Sequence, residues 1–294
     1  NQVSKTAQHL KELGVTKGDR VAGFLPNFAG SIVAMLATAS VGAIWSSCSP
    51  DFGEQGVIDR FGQIEPKVLF CVDGYFYNGK THNCLDKIKS FTARLPSLKQ
   101  VVIFDYASQS NIVINNSISY QEILENYEAI EIGFERVGFD HPLYIMYSSG
   151  TTGVPKCIVH GHGGTLVQHL KEHQLQTNIS SGDRVFYFTT CSWMMWNWLV
   201  SALGTGATIM LYDGSPTYPD NTVLWQFADE EEFSHFGTSA KYIETLMKDE
   251  VNPSAIFKLS NLKVICSTGS PLSAECYDYI YNNVKYVHLA SISG

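Results

Sequence analysis

Short apolar runs alternate with stretches of helical spacing along almost the whole chain, and this alternation restricts the fold more than any other feature. Residues 3–13 set Val3, Ala7, Leu10 and Leu13 on one helical face, and Gly14 ends the pattern. A buried strand is then expected at 20–25, an apolar helix at 29–39, a strand at 44–47, a helix at 54–63, a strand at 68–72, a helix at 85–95 and a strand at 100–104. The pattern weakens over 111–140, where only a helix at 120–126 stands out. It resumes with helices at 165–177, 198–203, 223–229, 240–250 and 274–282. Strands at 184–189, 207–212, 235–237, 262–266 and 286–289 separate them. Strands separated by helices pair in parallel and must be covered on both faces, so the series predicts an α/β fold of β-sheets flanked by helices.

This pattern implies a first α/β sub-domain over 1–110, a connection over 111–140 and a second α/β sub-domain over 141–294. Residue 1 is Asn, and the chain stops just after a strand-like run, so a fragment of a longer protein is expected. Of the 294 residues 45% are hydrophobic and 16% charged, enough apolar side chain for a sizeable core. The formal net charge of −8 argues against nucleic acid as the main partner, because no basic stripe is available for phosphates. No apolar run approaches the ~20 residues of a membrane span. The 7 cysteines are scattered, and none forms a Cys-x-x-Cys pair. Free thiols in a reducing, cytosolic setting are the plain expectation.

One stretch departs from the helix–strand series. Residues 148–156 read Ser-Ser-Gly-Thr-Thr-Gly-Val-Pro-Lys, between apolar runs at 143–147 and 157–159, which gives strand, loop, strand. Gly150 and Gly153 permit backbone angles closed to other residues and let the main chain approach a ligand. Ser148, Ser149, Thr151 and Thr152 add hydroxyls, and Lys156 adds a compact positive charge. That set suits a phosphate or pyrophosphate. It is not a Walker A loop, which needs Gly-Lys-[Ser/Thr] in succession and then a helix. The plain alternative is a Ser/Gly hairpin tip.

Other constellations carry weaker signals. His169-Leu170-Lys171-Glu172-His173 matches His-x-x-Glu-His, and the two histidines lie one helical turn apart. Nothing identifies a further ligand, so no metal site is expected. His160 and His162 are expected to be neutral, hydrogen-bonded rings. The run Trp193-Met194-Met195-Trp196-Asn197-Trp198 follows a predicted strand, and in open α/β sheets ligands bind at the carboxyl ends of strands. Trp193, Met194, Met195, Trp196 and Asn197 can therefore line a small pocket, while Trp198 fits a core position. Gly269-Ser270-Pro271 follows another strand and could pack flat against a ring, with Pro271 as an early helix residue. An ordinary strand–helix turn explains that segment equally well.

The loop at 148–156 resembles the phosphate-binding loop of the adenylate-forming superfamily, which includes acyl-CoA synthetases. The likeness extends along nearly the whole chain. Val15-Thr16-Lys17-Gly18-Asp19-Arg20-Val21 is similar to their opening strand, and the segment from Gly206 to Pro219 to the acetyl-CoA synthetase branch. Within that branch, residues 193–198 and 267–273 look most like acetoacetyl-CoA synthetases. The resemblance implies the large N-terminal domain of the adenylate-forming fold, with its small C-terminal domain absent. It also implies a two-step ligation of an acid, acetoacetate, to coenzyme A through an acyl-adenylate, with ATP and Mg2+, in ketone-body use and lipid synthesis.

By the same resemblance, Ser148, Ser149, Gly150, Thr151, Thr152, Gly153 and Lys156 hold the β- and γ-phosphates, with Thr151, Thr152 and Lys156 the catalytic set. Gly269, Ser270 and Pro271 lie against adenine. Trp193 borders the carboxylate, and Met194, Met195, Trp196 and Asn197 shape the acyl pocket. Arg60 matches, more loosely, a position that meets CoA. Ser270 stands where many relatives carry Glu. The Mg2+-binding acid, the ribose-binding Asp, the hinge and the catalytic Lys of the C-terminal domain would lie past Gly294, so the 294-residue piece is expected to have little or no activity alone. Two alternatives stay open: a synthetase for another short-chain acid, and a catalytically silent nucleotide-binding module.

Overall fold

The structure, a computed structural model, describes residues 1–108, 113–148 and 153–293. It divides into two compact units, Asn1–Phe76 with Thr81–Leu166, and Tyr77–Lys80 with Val167–Gly294.

The first unit is built on a seven-stranded sheet. Its elements run α1 (Gln2–Glu12), β1 (Arg20–Phe24), α2 (Ala29–Ser40), β2 (Ile44–Cys48), α3 (Glu54–Ile64), β3 (Val68–Val72) and the hairpin β4 (Gly74–Tyr77) and β5 (Lys80–Asn83). Next come α4 (Leu85–Thr92), β6 (Gln100–Phe104), β7 (Ser117–Ser119), α5 (Tyr120–Asn126), β8 (Pro142–Tyr147), β9 (Cys157–Gly161) and the start of α6 (His162–Lys171), while Tyr77–Lys80 of the hairpin and α6 from Val167 belong to the second unit. The sheet order is β7-β6-β3-β1-β2-β8-β9. All neighbours pair in parallel except the edge pair β8–β9. β2 and β3 are buried along their whole length, as expected of parallel strands covered on both faces. Phe24, Phe61, Phe91 and Leu69 form the core on one side.

The second unit carries a five-stranded sheet, order β11-β10-β12-β13-β14, with every neighbouring pair parallel. Its elements are a π-turn at Glu172–Gln176, β10 (Arg184–Tyr187), α7 (Met194–Ser201), β11 (Thr208–Met210), α8 (Val223–Glu230), β12 (His235–Ser239), α9 (Ala240–Lys248), β13 (Val264–Thr268), α10 (Ala274–Asn283) and β14 (His288–Ser291). Trp225 stacks on Phe236 at 4.3 Å between ring centres in its core. Serine caps start α9 and α10, where Ser239 accepts from the Tyr242 amide and Ser273 from the Cys276 amide. No helix among the described residues is long and apolar enough to cross a membrane.

The α/β expectation holds, and three local readings need correction. The helix expected at 198–203 begins four residues earlier, at Met194, with Trp193 as an extended N-cap that makes no side-chain cap bond. The helix expected at 165–177 starts at His162 and gives way to the π-turn at Glu172. Pro271 lies outside α10, whose cap is Ser273. The β4–β5 hairpin was not anticipated, although Asn78-Gly79 marks it: both residues have positive φ, 49° and 68°, as the two central positions of a tight hairpin turn require.

Candidate active site

The phosphate-loop candidate sits on the β8–β9 hairpin, whose register pairs Tyr147 with Cys157 and Ile145 with Val159. Two hydrogen bonds close its neck. The Ser148 amide donates to the Lys156 carbonyl at 3.0 Å, and the Lys156 amide donates to Ser148 Oγ at 3.2 Å. Gly153 has φ +103°, a backbone conformation that favours glycine. The Lys156 side chain is exposed. Ser149, Gly150, Thr151 and Thr152 lie outside the described residues.

Helix α3 supports the exit of this hairpin. Gln63 Nε2 donates to the Pro155 carbonyl at 2.8 Å. Arg60 donates to the Gly56 carbonyl, and its guanidinium lies 4.7 Å from the Phe52 ring centre and 5.7 Å from that of Tyr147. The candidate CoA residue is thus stacked beside the last residue of β8. Burial lowers the pKa of both His160 and His162, as neutral rings require. His162 Nε2, however, is buried with no hydrogen-bond partner among the described residues, so that ring departs from the hydrogen-bonded expectation.

In the second unit the other two candidate segments leave the carboxyl ends of β10 and β13, which flank β12. Trp193 is 65% exposed, Met194 is partly buried, and Met195, Trp196 and Asn197 are buried in the first turn of α7. Met195 packs in the cluster of Val185, Tyr187, Trp198 and Leu199. Gly269, Ser270 and Pro271 line a cleft of about 360 Å³ together with Thr268 and residues 291–293 at the end of β14. Gly269 has φ +91°.

Between these segments stand residues that the sequence reading did not single out. Thr238 and Ser267 are register partners at the ends of β12 and β13, so they point to the same face. Both hydroxyls are buried without a hydrogen-bond partner among the described residues. The local signal was only a Thr-Ser pair before a helix, too common to mark a site.

His169 Nδ1 and His173 Nε2 each lie 2.9 Å from Ser201 Oγ. Among the described residues no group of three or more His, Cys, Asp or Glu side chains could hold a metal ion. Elsewhere in this unit, burial would raise the Asp183 carboxyl. Bonds from Lys263 and from the Ser180 amide and hydroxyl outweigh burial and bring it down to about 2.

The family model of AMP-binding enzymes matches residues 1–286. The chain belongs to the AMP-binding enzyme family. It is 52% identical over 296 residues to the acetoacetyl-coenzyme A synthetase of Rhizobium meliloti (strain 1021), covering 99% of this chain and 45% of that protein. It is 49% identical over 300 residues to the acetoacetyl-CoA synthetase of Gallus gallus, with the same coverage. The solved acetoacetyl-CoA synthetase from Streptomyces lividans superposes with a TM-score of 0.95 at 43% identity, covering 100% of this chain and 45% of that one. As an AMP-binding enzyme the chain therefore spans a little under half the length of the relatives it matches.

Proposed function

We propose that this chain is the nucleotide- and acid-binding part of an enzyme that joins acetoacetate to coenzyme A, with release of AMP and pyrophosphate. The observation that carries this reading is the closed neck of the 148–156 hairpin. It fixes the backbone on either side of the loop and leaves Lys156 facing solvent. The names of the relatives and the likeness to the Streptomyces lividans structure support the choice of acid and thiol.

In the first step a carboxylate oxygen of acetoacetate bonds to the α-phosphorus of ATP, and the bond from that phosphorus to the bridging oxygen breaks. Negative charge builds on the departing pyrophosphate. The loop of Ser148, Ser149, Gly150, Thr151, Thr152, Gly153 and Lys156 would meet it with backbone donors, hydroxyls and a cation, held in place before the charge develops. In the second step the thiol of coenzyme A, losing its proton, bonds to the acyl carbon, and AMP leaves. Gly269, Ser270 and Pro271 would hold adenine in their cleft, Trp193 would border the carboxylate, and Met194, Met195, Trp196 and Asn197 would limit the acyl chain. Arg60 would meet a phosphate of CoA. Mg2+ usually reaches such a site on the nucleotide phosphates with one or two carboxylates. The described residues offer no metal cluster, so no step is assigned to it. All seven cysteines are free thiols and six are buried, which supports a cytosolic setting.

The test is acid-dependent exchange of labelled pyrophosphate into ATP by the natural full-length protein, with acetoacetate, acetate, propionate and butyrate side by side. A marked preference for acetoacetate is expected. Preference for butyrate or propionate would keep the chemistry and replace the acid. ATP binding without exchange for any acid would sink the enzyme reading and leave a nucleotide-binding module.

A further inference from the structure

Glu172, His169 and His173 belong to one helical segment, yet all three reach across to α7. Glu172 Oε2 accepts from Trp198 Nε1 at 3.0 Å, and its other oxygen accepts from Gln168. His169 Nδ1 and His173 Nε2 each lie 2.9 Å from Ser201 Oγ. Ser201 Oγ in turn lies 2.7 Å from the Trp198 carbonyl oxygen, which can only accept. A hydroxyl has one proton. With that proton on the carbonyl, Ser201 Oγ is left to accept from His169 Nδ1 and from His173 Nε2. His173 is fully buried, 4.2 Å from the Trp198 ring, and its Nδ1 has no hydrogen-bond partner among the described residues.

The same segment is tied to the sheet. Thr177 ends the π-turn by donating its hydroxyl to the His173 carbonyl at 2.9 Å. The Thr177 carbonyl accepts from His235 Nε2, at the first residue of β12, at 2.8 Å. A run of directional bonds thus leads from β12 through the π-turn to two points one turn apart on α7, Trp198 and Ser201. Apolar packing of α7 against Val185 and Tyr187 supplies cohesion without direction. Two hydrogen-bonded anchor points on one face fix rotation and height. A π-turn is a rare backbone form that is found mostly at functional places.

We propose that Glu172, His169, His173 and Ser201 are positioning residues that fix α7, set where Trp193, Met194 and Asn197 stand at the end of β10, and so determine how tightly the acid is discriminated. The proposal rests on the reading of that segment as the acyl pocket. None of the four belongs to the segments read as holding acid or nucleotide. The partner they act on is the acid, in contrast to the nucleotide.

The test uses the natural full-length protein with Glu172→Ala, Glu172→Gln and Ser201→Ala. Losing a hydrogen bond to a charged acceptor should raise KM for acetoacetate about tenfold in Glu172→Ala and narrow the acetoacetate-to-butyrate ratio of kcat/KM by a similar factor. KM for ATP should stay within about twofold, because none of these bonds involves residues 148–156. Glu172→Gln keeps an acceptor oxygen for Trp198 and should restore most of the ratio. Equal rises in both KM values, or lost stability with an unchanged ratio, would overturn the proposal. A second readout needs no turnover: the indole N–H resonances of Trp193 and Trp198 in 15N-labelled protein. Both should shift in Glu172→Ala and in Ser201→Ala. A shift at Trp198 alone would show that the start of α7 is placed independently, and the proposal would fall. If the parent protein exchanges with no acid, the reading of function falls, and the indole spectrum still decides the placement of α7.

Discussion

At the phosphate hairpin Ser148 and Lys156 exchange two hydrogen bonds at a neck whose outer strand exposes Cys157, Ile158 and Val159. At the start of α7, by contrast, Met195, Trp196 and Asn197 are buried, and the helix behind them is bonded to α6 through His169 and to the π-turn through Glu172 and His173. In the hairpin, the Lys156 side chain is exposed and holds nothing in the fold, whereas at α7 those candidate side chains are themselves part of the packed core. Changes at the hairpin should therefore alter binding and leave stability alone, whereas changes at α7 should alter both.

The sharpest way to break this contrast is Trp196→Ala. Removing a fully buried indole should cost about 3–5 kcal/mol of stability in urea unfolding, and a loss under ~1 kcal/mol would show that α7 is as loosely committed as the hairpin. Next comes Lys156→Met. It should slow pyrophosphate exchange by about 100-fold or more, the scale for removing one oriented donor from a developing anion. Its urea midpoint should equal that of the parent, and a large shift would erase the distinction.

Acid titration separates the regions further. Burial, reinforced by the neighbouring His169 ring, holds His173 down to about 4. Its unfolded value is near 6.5, so the unfolded chain binds the proton more readily between the two. The stabilisation is complete above about pH 6.5 and is lost as pH falls towards 4, on the order of 3 kcal/mol. The Asp183 contribution fades only below about pH 4, as its carboxyl is held near 2, so the two windows do not overlap. His173→Gln should flatten the upper window in a pH series of unfolding midpoints, and an unchanged slope would remove His173 as its source. The smallest effect is expected of Gln63→Ala. It deletes the bond to the Pro155 carbonyl and should weaken ATP binding about threefold by calorimetry, with under ~1 kcal/mol in stability.

Much of this was legible locally. The alternation of buried strands and helices followed from apolar spacing, and the strand–loop–strand setting of 148–156 from the two short runs around it. The first turn of α7 was not, because Trp193 to Asn197 offers no capping side chain and its aromatic content suits a pocket wall as well as a helix. The β4–β5 hairpin could have been read from Asn78-Gly79. The π-turn could not, since nothing in residue spacing marks a change from i+4 to i+5 bonding. His-x-x-Glu-His was visible as a pattern. Its partners, Trp198 and Ser201, lie a separate helix away, and only the folded chain brings them to those side chains. The residues at 149–152, the heart of the predicted loop, remain a reading from sequence and resemblance.

Six of the seven cysteines are buried, while Cys157 is exposed at the first residue of β9, directly after Lys156. Its thiol sits within reach of Gln63 Oε1 at 3.7 Å, and partial burial raises its pKa above the ordinary value. The protein thus comes with its own attachment point for a dye. Among the cysteines of these 294 residues, a maleimide fluorophore applied in mildly alkaline buffer would favour Cys157.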